Sequence, residues 1–217
     1  DTRSLVPVLV PKVSPHMLIA GDPGSGKTTA LRTFITSVVN QYGPTEAKFV
    51  IFDASFSLMN EMEGLCKDGY MKQSNFASTR DETRDPVEGL KKILAQRAPR
   101  KDQGLSPRAL RERSWFTGPE IFVIVDGYNR IGSQPGVMAP LDELVPFLSA
   151  STDLGVHVIL STAAAGLSSQ FMTNKMFKLF SEQTAPILML SGPPTEGRIS
   201  ALKVKFESRR PGFGQLL

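Results

Sequence analysis

The octet GDPGSGKT, Gly21 to Thr28, is the densest piece of chemistry in the chain. It fits the pattern G-x-x-x-x-G-K-[ST]. Gly21, Gly24 and Gly26 free the backbone to turn successive N–H groups inward, with Asp22, Pro23 and Ser25 filling the loop between them. Inward amides at the head of a helix make a cradle for phosphate. In such a cradle Lys27 reaches the β- and γ-phosphates, Thr28 ligates Mg²⁺, and Thr29 is a further nucleotide-binding position. The expected ligand is ATP with Mg²⁺.

A second chemical position lies at the end of EIFVIVDG, Glu120 to Gly127. Four or more apolar β-formers lead into Asp126, which suits an aspartate at the carboxyl end of a buried strand, within reach of the same Mg²⁺. Gly127 follows, where hydrolytic domains often carry a second acid. A positioned general base contributes roughly 10²- to 10⁴-fold, and glycine supplies none. Asp53, Asp142 and Glu143 are the acids that could substitute from elsewhere. A polar γ-phosphate sensor is expected after VHVILST; Ser161 and Thr162 are polar, but Ala163, Ala164 and Ala165 are not. The reading is a domain that binds ATP and hydrolyses it weakly or not at all alone, with no confident catalytic residue.

These positions need a sheet to hold them on one edge. Short apolar runs at 16–20, 48–54, 121–126, 156–162 and 186–192 read as strands buried on both faces. Between them, 28–39, 87–97, 141–149 and 168–181 read as helices, with a further short helix near 108–113 in a basic, Gly/Pro-punctuated excursion. Alternation of this kind gives an α/β fold: a mostly parallel sheet of the P-loop type with helices on both faces.

The 217 residues suffice for one domain spanning 1–217. The chain begins at Asp1 and is expected to be cut from a longer one. No apolar run reaches the roughly 18 residues of a membrane span. Cys66 is the lone cysteine, which suits a reducing compartment. His16 and His157 are too few for a metal site. A net charge of +4 permits an anionic partner without requiring one.

The order of motifs resembles one ATPase module of the FtsK/SpoIIIE-type motor of type VII secretion, the EccC/EssC family. The resemblance rests on GDPGSGKTTALRTF, RSWFTGPEIFVIVDGY, PLDELVPFLSASTDLGVHVILS, LMLSGPPTEG and the closing RRPGFGQLL, and it covers nearly the whole chain. It implies a RecA/FtsK-like fold, neighbouring ATPase modules in tandem, and a place at the cytoplasmic face of the membrane through the rest of the chain. It also implies export partners of the WXG100 type, bound through their C-terminal signal. The ending resembles the last module most. Family members usually carry a second Asp where Gly127 stands, arginines where Ala163 and Ala164 stand, and D-Y-R-R where this chain has DASF, Asp53 to Phe56. In the family, downstream modules are thought to bind ATP while turnover is confined largely to the first.

Two other readings compete. A DNA-translocating motor would use the basic set Arg97, Arg100, Lys101, Arg108, Arg111, Arg113, Lys203, Lys205, Arg209 and Arg210. The same residues suit a solvated loop and tail, aromatic interleaving is sparse, and Trp115 suits a loop anchor, so nucleic acid is not the expected partner. An autonomous NTPase is the other, and Gly127 argues against it. For partner recognition, Leu58, Met59, Met62 and Leu65 share one helical face and could accept an apolar tail. The same spacing suits packing on the sheet, and that is the favoured reading of the face.

Overall fold

The computed structural model describes residues 15–99, 104–112, 114–115, 117–132, 139–149, 154–196, 198–199 and 204–217. Its centre is a seven-stranded sheet. In chain order the strands are β1 (Met17–Gly21), β2 (Ala47–Asp53), β3 (Phe76–Ala77), β4 (Glu120–Asp126), β5 (Val156–Ala163), β6 (Ile187–Met189) and, after a small separate pair β7 (Arg198–Ile199) and β8 (Val204–Lys205), β9 (Gln215–Leu216). The spatial order is β3-β2-β4-β5-β1-β6-β9. All neighbours run parallel except β9, which is antiparallel to β6.

Strict alternation along each strand explains why both faces are covered. On β4, Ile121, Val123 and Val125 enter one core and Phe122 and Ile124 the other. Helices α1 (Lys27–Gln41) and α2 (Met59–Lys67) cover the second face through Leu31, Ile35, Val38, Met62 and Leu65. The first face is covered by α3 (Arg84–Arg97), α6 (Val145–Leu148), α7 (Leu167–Thr173) and α8 (Lys175–Glu182). Two short helices, α4 (Pro107–Glu112) and α5 (Tyr128–Ile131), complete the set.

The helix expected over 141–149 is a 3-10 turn, Pro140–Leu144, running into α6. The helix expected over 168–181 is two. Asn174 interrupts it, its side-chain oxygen accepting from Met176 N at 2.9 Å and Phe177 N at 3.3 Å. An asparagine that caps a new helix is worth about 1 kcal/mol, and Tyr128 Oη also receives its amide at 3.0 Å.

Candidate functional site

The phosphate loop leaves β1 at Gly21 and enters α1 at Lys27. Asp22 N donates to Ser191 O at 2.7 Å and Ser25 N to Asp22 O at 3.2 Å. A Cβ at Gly21 would stand 2.5 Å from Ser25 Oγ and 2.9 Å from Leu190 Cβ, so the floor of the loop favours glycine. Gly26 is the N-cap of α1 with φ of 106°, a left-handed conformation that costs an L-residue with a side chain about 1–2 kcal/mol. No side chain caps this helix and no acid sits in its first turn. Its positive end is thereby left for an anionic ligand. Ser25 Oγ is buried and has no partner.

Lys27 Nζ donates to Gly21 O and Asp22 O, each at 2.8 Å, so the ammonium is fastened across its own loop. Burial holds its pKa below the usual lysine value; Asp126 and Asp22 oppose that, and the Arg130 guanidinium adds to it. Thr28 Oγ1 donates to Asp126 Oδ2 at 2.7 Å. Asp126 Oδ1 accepts from Ser161 Oγ at 2.6 Å, and that same hydroxyl accepts from Gly127 N at 2.9 Å. One hydrogen-bonded line thus joins α1, β4 and β5 along the carboxyl edge of the sheet. Asp126 is buried. A hydroxyl and a carboxylate at this separation, beside an uncapped helix start, are donors of the kind that suit Mg²⁺ and a triphosphate. The residues fit the group. All ten expected binding positions, Gly21 to Thr29 and Asp126, lie at this edge.

The acids that might have stood in for a second catalytic carboxylate are all occupied. Asp53 pairs with Asp126 in the sheet register, but its oxygens accept from Ser55 N at 2.9 Å and Leu58 N at 2.7 Å and so hold the turn into α2. Burial raises its pKa, the backbone N–H groups lower it, and Asp126 raises it further. Asp142 accepts from Tyr128 Oη at 3.3 Å, and Glu143 pairs with Lys91 at 2.6 Å. Gly127 caps α5 with φ of 76°, and the atom nearest its absent Cβ would be Arg130 Cδ at 3.7 Å. Arg130 itself donates to Ser55 Oγ at 3.1 Å. Ala164 is buried in the core with Phe206, a setting with no room for an arginine.

A profile of the FtsK/SpoIIIE family matches residues 5–172. The chain belongs to the FtsK/SpoIIIE family. Within it, the chain is similar to the ESX secretion system protein EccC of Thermomonospora curvata, 31% identical over 91% of this chain and 14% of that protein. It is similar also to the ESX-4 secretion system protein EccC4 of Mycobacterium tuberculosis, 29% identical over 91% of this chain and 15% of that one. Two solved structures of Thermomonospora curvata share the fold. The cytoplasmic domain of the type VII secretion ATPase EccC superposes with a TM-score of 0.87 at 28% identity, over 100% of this chain and 24% of that one. EccC ATPases 2 and 3, in complex with a signal sequence peptide, give 0.88 at 28% identity over 100% and 37%. The chain spans about one seventh of the curated relatives' length.

Two features expected of this FtsK/SpoIIIE domain are corrected. The first is the α2 face. Leu58, Met62 and Leu65 are buried at 0%, 6% and 4% exposure, with Met59 partly buried against them. The helix is drawn onto the sheet beside α1, where Arg32 joins Glu61 at 2.9 Å and Ser57 O at 2.5 Å. These residues are core and present no groove. The second is the basic set. Arg97 is buried, its guanidinium donating to Leu154 O, Gly155 O and Pro119 O at 2.9, 3.3 and 2.7 Å. Trp115 Nε1 donates to Arg97 O at 2.7 Å, as a loop anchor does. Arg100, Lys101, Arg113, Lys203 and the Arg111 side chain lie outside the described residues. A groove of about 800 Å³, missed by sequence reasoning, lies instead between the starts of β2 and β4 and the outer side of α3, with Pro86, Leu90 and the exposed Ile93 along one wall. Among the described residues no three His, Cys, Asp or Glu side chains gather as a metal site, and no helix is long and apolar enough to cross a membrane.

Proposed function

We propose that this chain is an ATP-binding module of a type VII secretion motor, one that holds MgATP and turns it over weakly or not at all by itself. The observation that carries the reading is the Thr28–Asp126–Ser161 line, intact to 2.7 Å, ending on a glycine in a left-handed cap where an acid would have to stand. Lys27, the loop amides and the α1 N-terminus would bind the phosphates; Thr28 and Asp126 would hold Mg²⁺, whose charge screens the β- and γ-oxygens when bound. The acids that could stand in for a base beside Asp126, namely Asp53, Asp142 and Glu143, each serve a structural bond.

The similarity to EccC supports neighbouring ATPase modules as partners and a place at the cytoplasmic face of the membrane through the rest of the chain. The signal-peptide complex of the similar EccC domains supports a role in recognising exported WXG100-type proteins through their C-terminal signal. In this chain the groove beside Ile93 is the surface suited to an apolar tail, and α2 is not.

The test measures binding and turnover side by side. MgATP at about 100 times its Kd should stabilise the fold by roughly 2.7 kcal/mol, with phosphate release near background. Absence of any stabilisation, or a robust rate that Lys27→Ala abolishes, would overturn the reading.

A further inference from the structure

The phosphate loop has a neighbour from the far end of the chain. After β8 the backbone turns at 210–213, Phe213 N donating to Arg210 O at 3.1 Å, and then enters β9. Three contacts fasten this turn. Arg209 N donates to Ser191 Oγ at 3.1 Å. Gly212 N donates to Ser25 O, inside the phosphate loop, at 3.0 Å. Gly214 lies so close to Met189 O that a Cβ there would come within 2.8 Å. A Cβ on Gly26 would likewise stand 3.1 Å from Gly212 N. Loop and turn are therefore in direct contact, and glycines on both sides allow it. At the apex stands Phe213, 49% exposed and in neither apolar core of the described residues.

The sheet order says what could lie against that ring. Thr28 meets Asp126 of β4, on the β5 side of β1; β6 and β9 lie on the opposite side. A nucleoside triphosphate with its terminal phosphates at the Thr28–Asp126 pair sends its sugar and base away from β4, toward β6 and β9. The Arg210–Gly214 turn is what the fold places there.

We propose that Phe213 is a stacking platform for the base of a purine nucleoside triphosphate, and that the turn 210–214 is the wall of the base pocket. The proposal rests on the nucleotide-binding reading above. It explains why an exposed aromatic side chain sits on a turn tied to the loop rather than in the core. A base stacked on one aromatic face gains affinity without being read by hydrogen bonds, and the gain grows with the size of the ring system. Purine triphosphates should therefore bind better than pyrimidine ones, with little distinction between adenine and guanine from this contact.

The experiment titrates the 217-residue chain with MgATP, MgUTP and magnesium tripolyphosphate by calorimetry, in the unaltered protein and in Phe213→Ala and Phe213→Trp. Tripolyphosphate reads the phosphate loop alone. Phe213→Ala should weaken MgATP by roughly 5- to 100-fold and leave tripolyphosphate unchanged; Phe213→Trp should keep MgATP affinity. The ligand-free melting temperature should not move in either variant, because the ring is exposed. Equal MgATP affinity in Phe213→Ala and the unaltered chain would overturn the proposal. So would an equal loss for both ligands, which would make Phe213 a support of the loop. If the unaltered chain binds tripolyphosphate but prefers MgUTP to MgATP, the stacking assignment fails while the nucleotide reading stands. If it binds neither MgATP nor tripolyphosphate, both fail.

Discussion

Replacing Gly127 separates two reasons why a glycine could follow Asp126: the backbone or the chemistry. Its φ of 76° and ψ of 54° lie in the left-handed region, which costs a residue with a side chain about 1–2 kcal/mol. The space is open, with Arg130 Cδ the nearest atom at 3.7 Å from a built Cβ, so no clash adds to that figure. For a domain of this size each kcal/mol lowers the melting temperature by about 2–4 °C. Gly127→Ala should therefore melt roughly 2–8 °C lower. Gly127→Asp should lose less, because aspartate tolerates this conformation better and its carboxylate would meet Arg130. That pairing also takes the new acid away from water, so phosphate release should rise by less than about tenfold, against the 10²- to 10⁴-fold of a working base. Differential scanning calorimetry and a phosphate-release assay with Lys27→Ala as background read both quantities. An unchanged melting temperature in Gly127→Ala would refute the backbone cost. A rise of about 100-fold in Gly127→Asp would refute the claim that more than one catalytic part is missing.

Other expectations follow from the same contacts. Lys27→Ala should abolish most of the MgATP-induced rise in melting temperature; a full rise would mean the nucleotide binds elsewhere. Ser161→Ala removes a hydrogen bond to the buried Asp126 carboxylate and should cost about 1.5–3 kcal/mol, seen in urea unfolding, along with weaker Mg²⁺ dependence of ATP binding. Ile93→Asp, on an exposed site, should leave the melting temperature nearly unchanged yet weaken binding of a fluorescent C-terminal peptide from a WXG100-type protein; normal binding would move recognition away from the α3 groove. His16 is buried, its Nδ1 accepting from Val158 N at 3.1 Å, and burial lowers its pKa from 6.5 to about 4. Between those values the unfolded chain holds the extra proton, so this residue's contribution to stability is full above pH 6.5 and is lost as pH falls toward 4, by at most about 1.4 kcal/mol per unit. Asp53 and Asp142, whose pKa values burial raises, act in the opposite sense. The comparison is thus the unaltered chain against His16→Asn, which should show the shallower loss; parallel curves would exclude His16 as the cause.

What could be read from the sequence was what is local or strictly periodic. The octet at Gly21–Thr28 sets its own backbone, so its role needed no distant information. The strand before Asp126 announces itself by its apolar run, and parallel strands all present their carboxyl ends on one edge, which places Asp126 near Thr28. Two-residue strands such as β3 and β9 have no period to detect. The break between α7 and α8 carries neither Gly nor Pro; its signal was Asn174, a good N-cap standing where the helical pattern ran on. The α2 face failed for a different reason. Leu58, Met62 and Leu65 have the spacing of any apolar helical stripe, and spacing does not say whether a sheet or a partner covers it. The tie between Arg32 and Glu61, which lays α2 against α1, joins residues from different elements and has no local signature. The contact between Gly212 and Ser25 is hidden for the same reason, at far greater sequence separation.

If the proposed reading holds, the arrangement of the site suggests a use for a motor module that binds nucleotide and turns it over weakly or not at all. Gly21, Asp126 and Ser161 belong to three strands, and the hydroxyl of Thr28 reaches Asp126 from α1. A ligand gripped by the loop and a metal gripped by Thr28 and Asp126 would cross-link β1, β4 and α1 from above, and through the turn at Gly212 would also fix the end of the chain that forms β9. Each of these attachments would stabilise only the bound, folded arrangement, so in the proposed reading occupancy would be felt as rigidity across the sheet edge. A catalytic acid at position 127 would make that rigidity transient, since each turnover would release the terminal phosphate that joins the loop to the metal pair. With glycine there, the nucleotide in the proposed reading would act as a lasting structural ligand, and the α3 groove, at the opposite end of β2 and β4, would be carried on a sheet whose far edge that ligand holds.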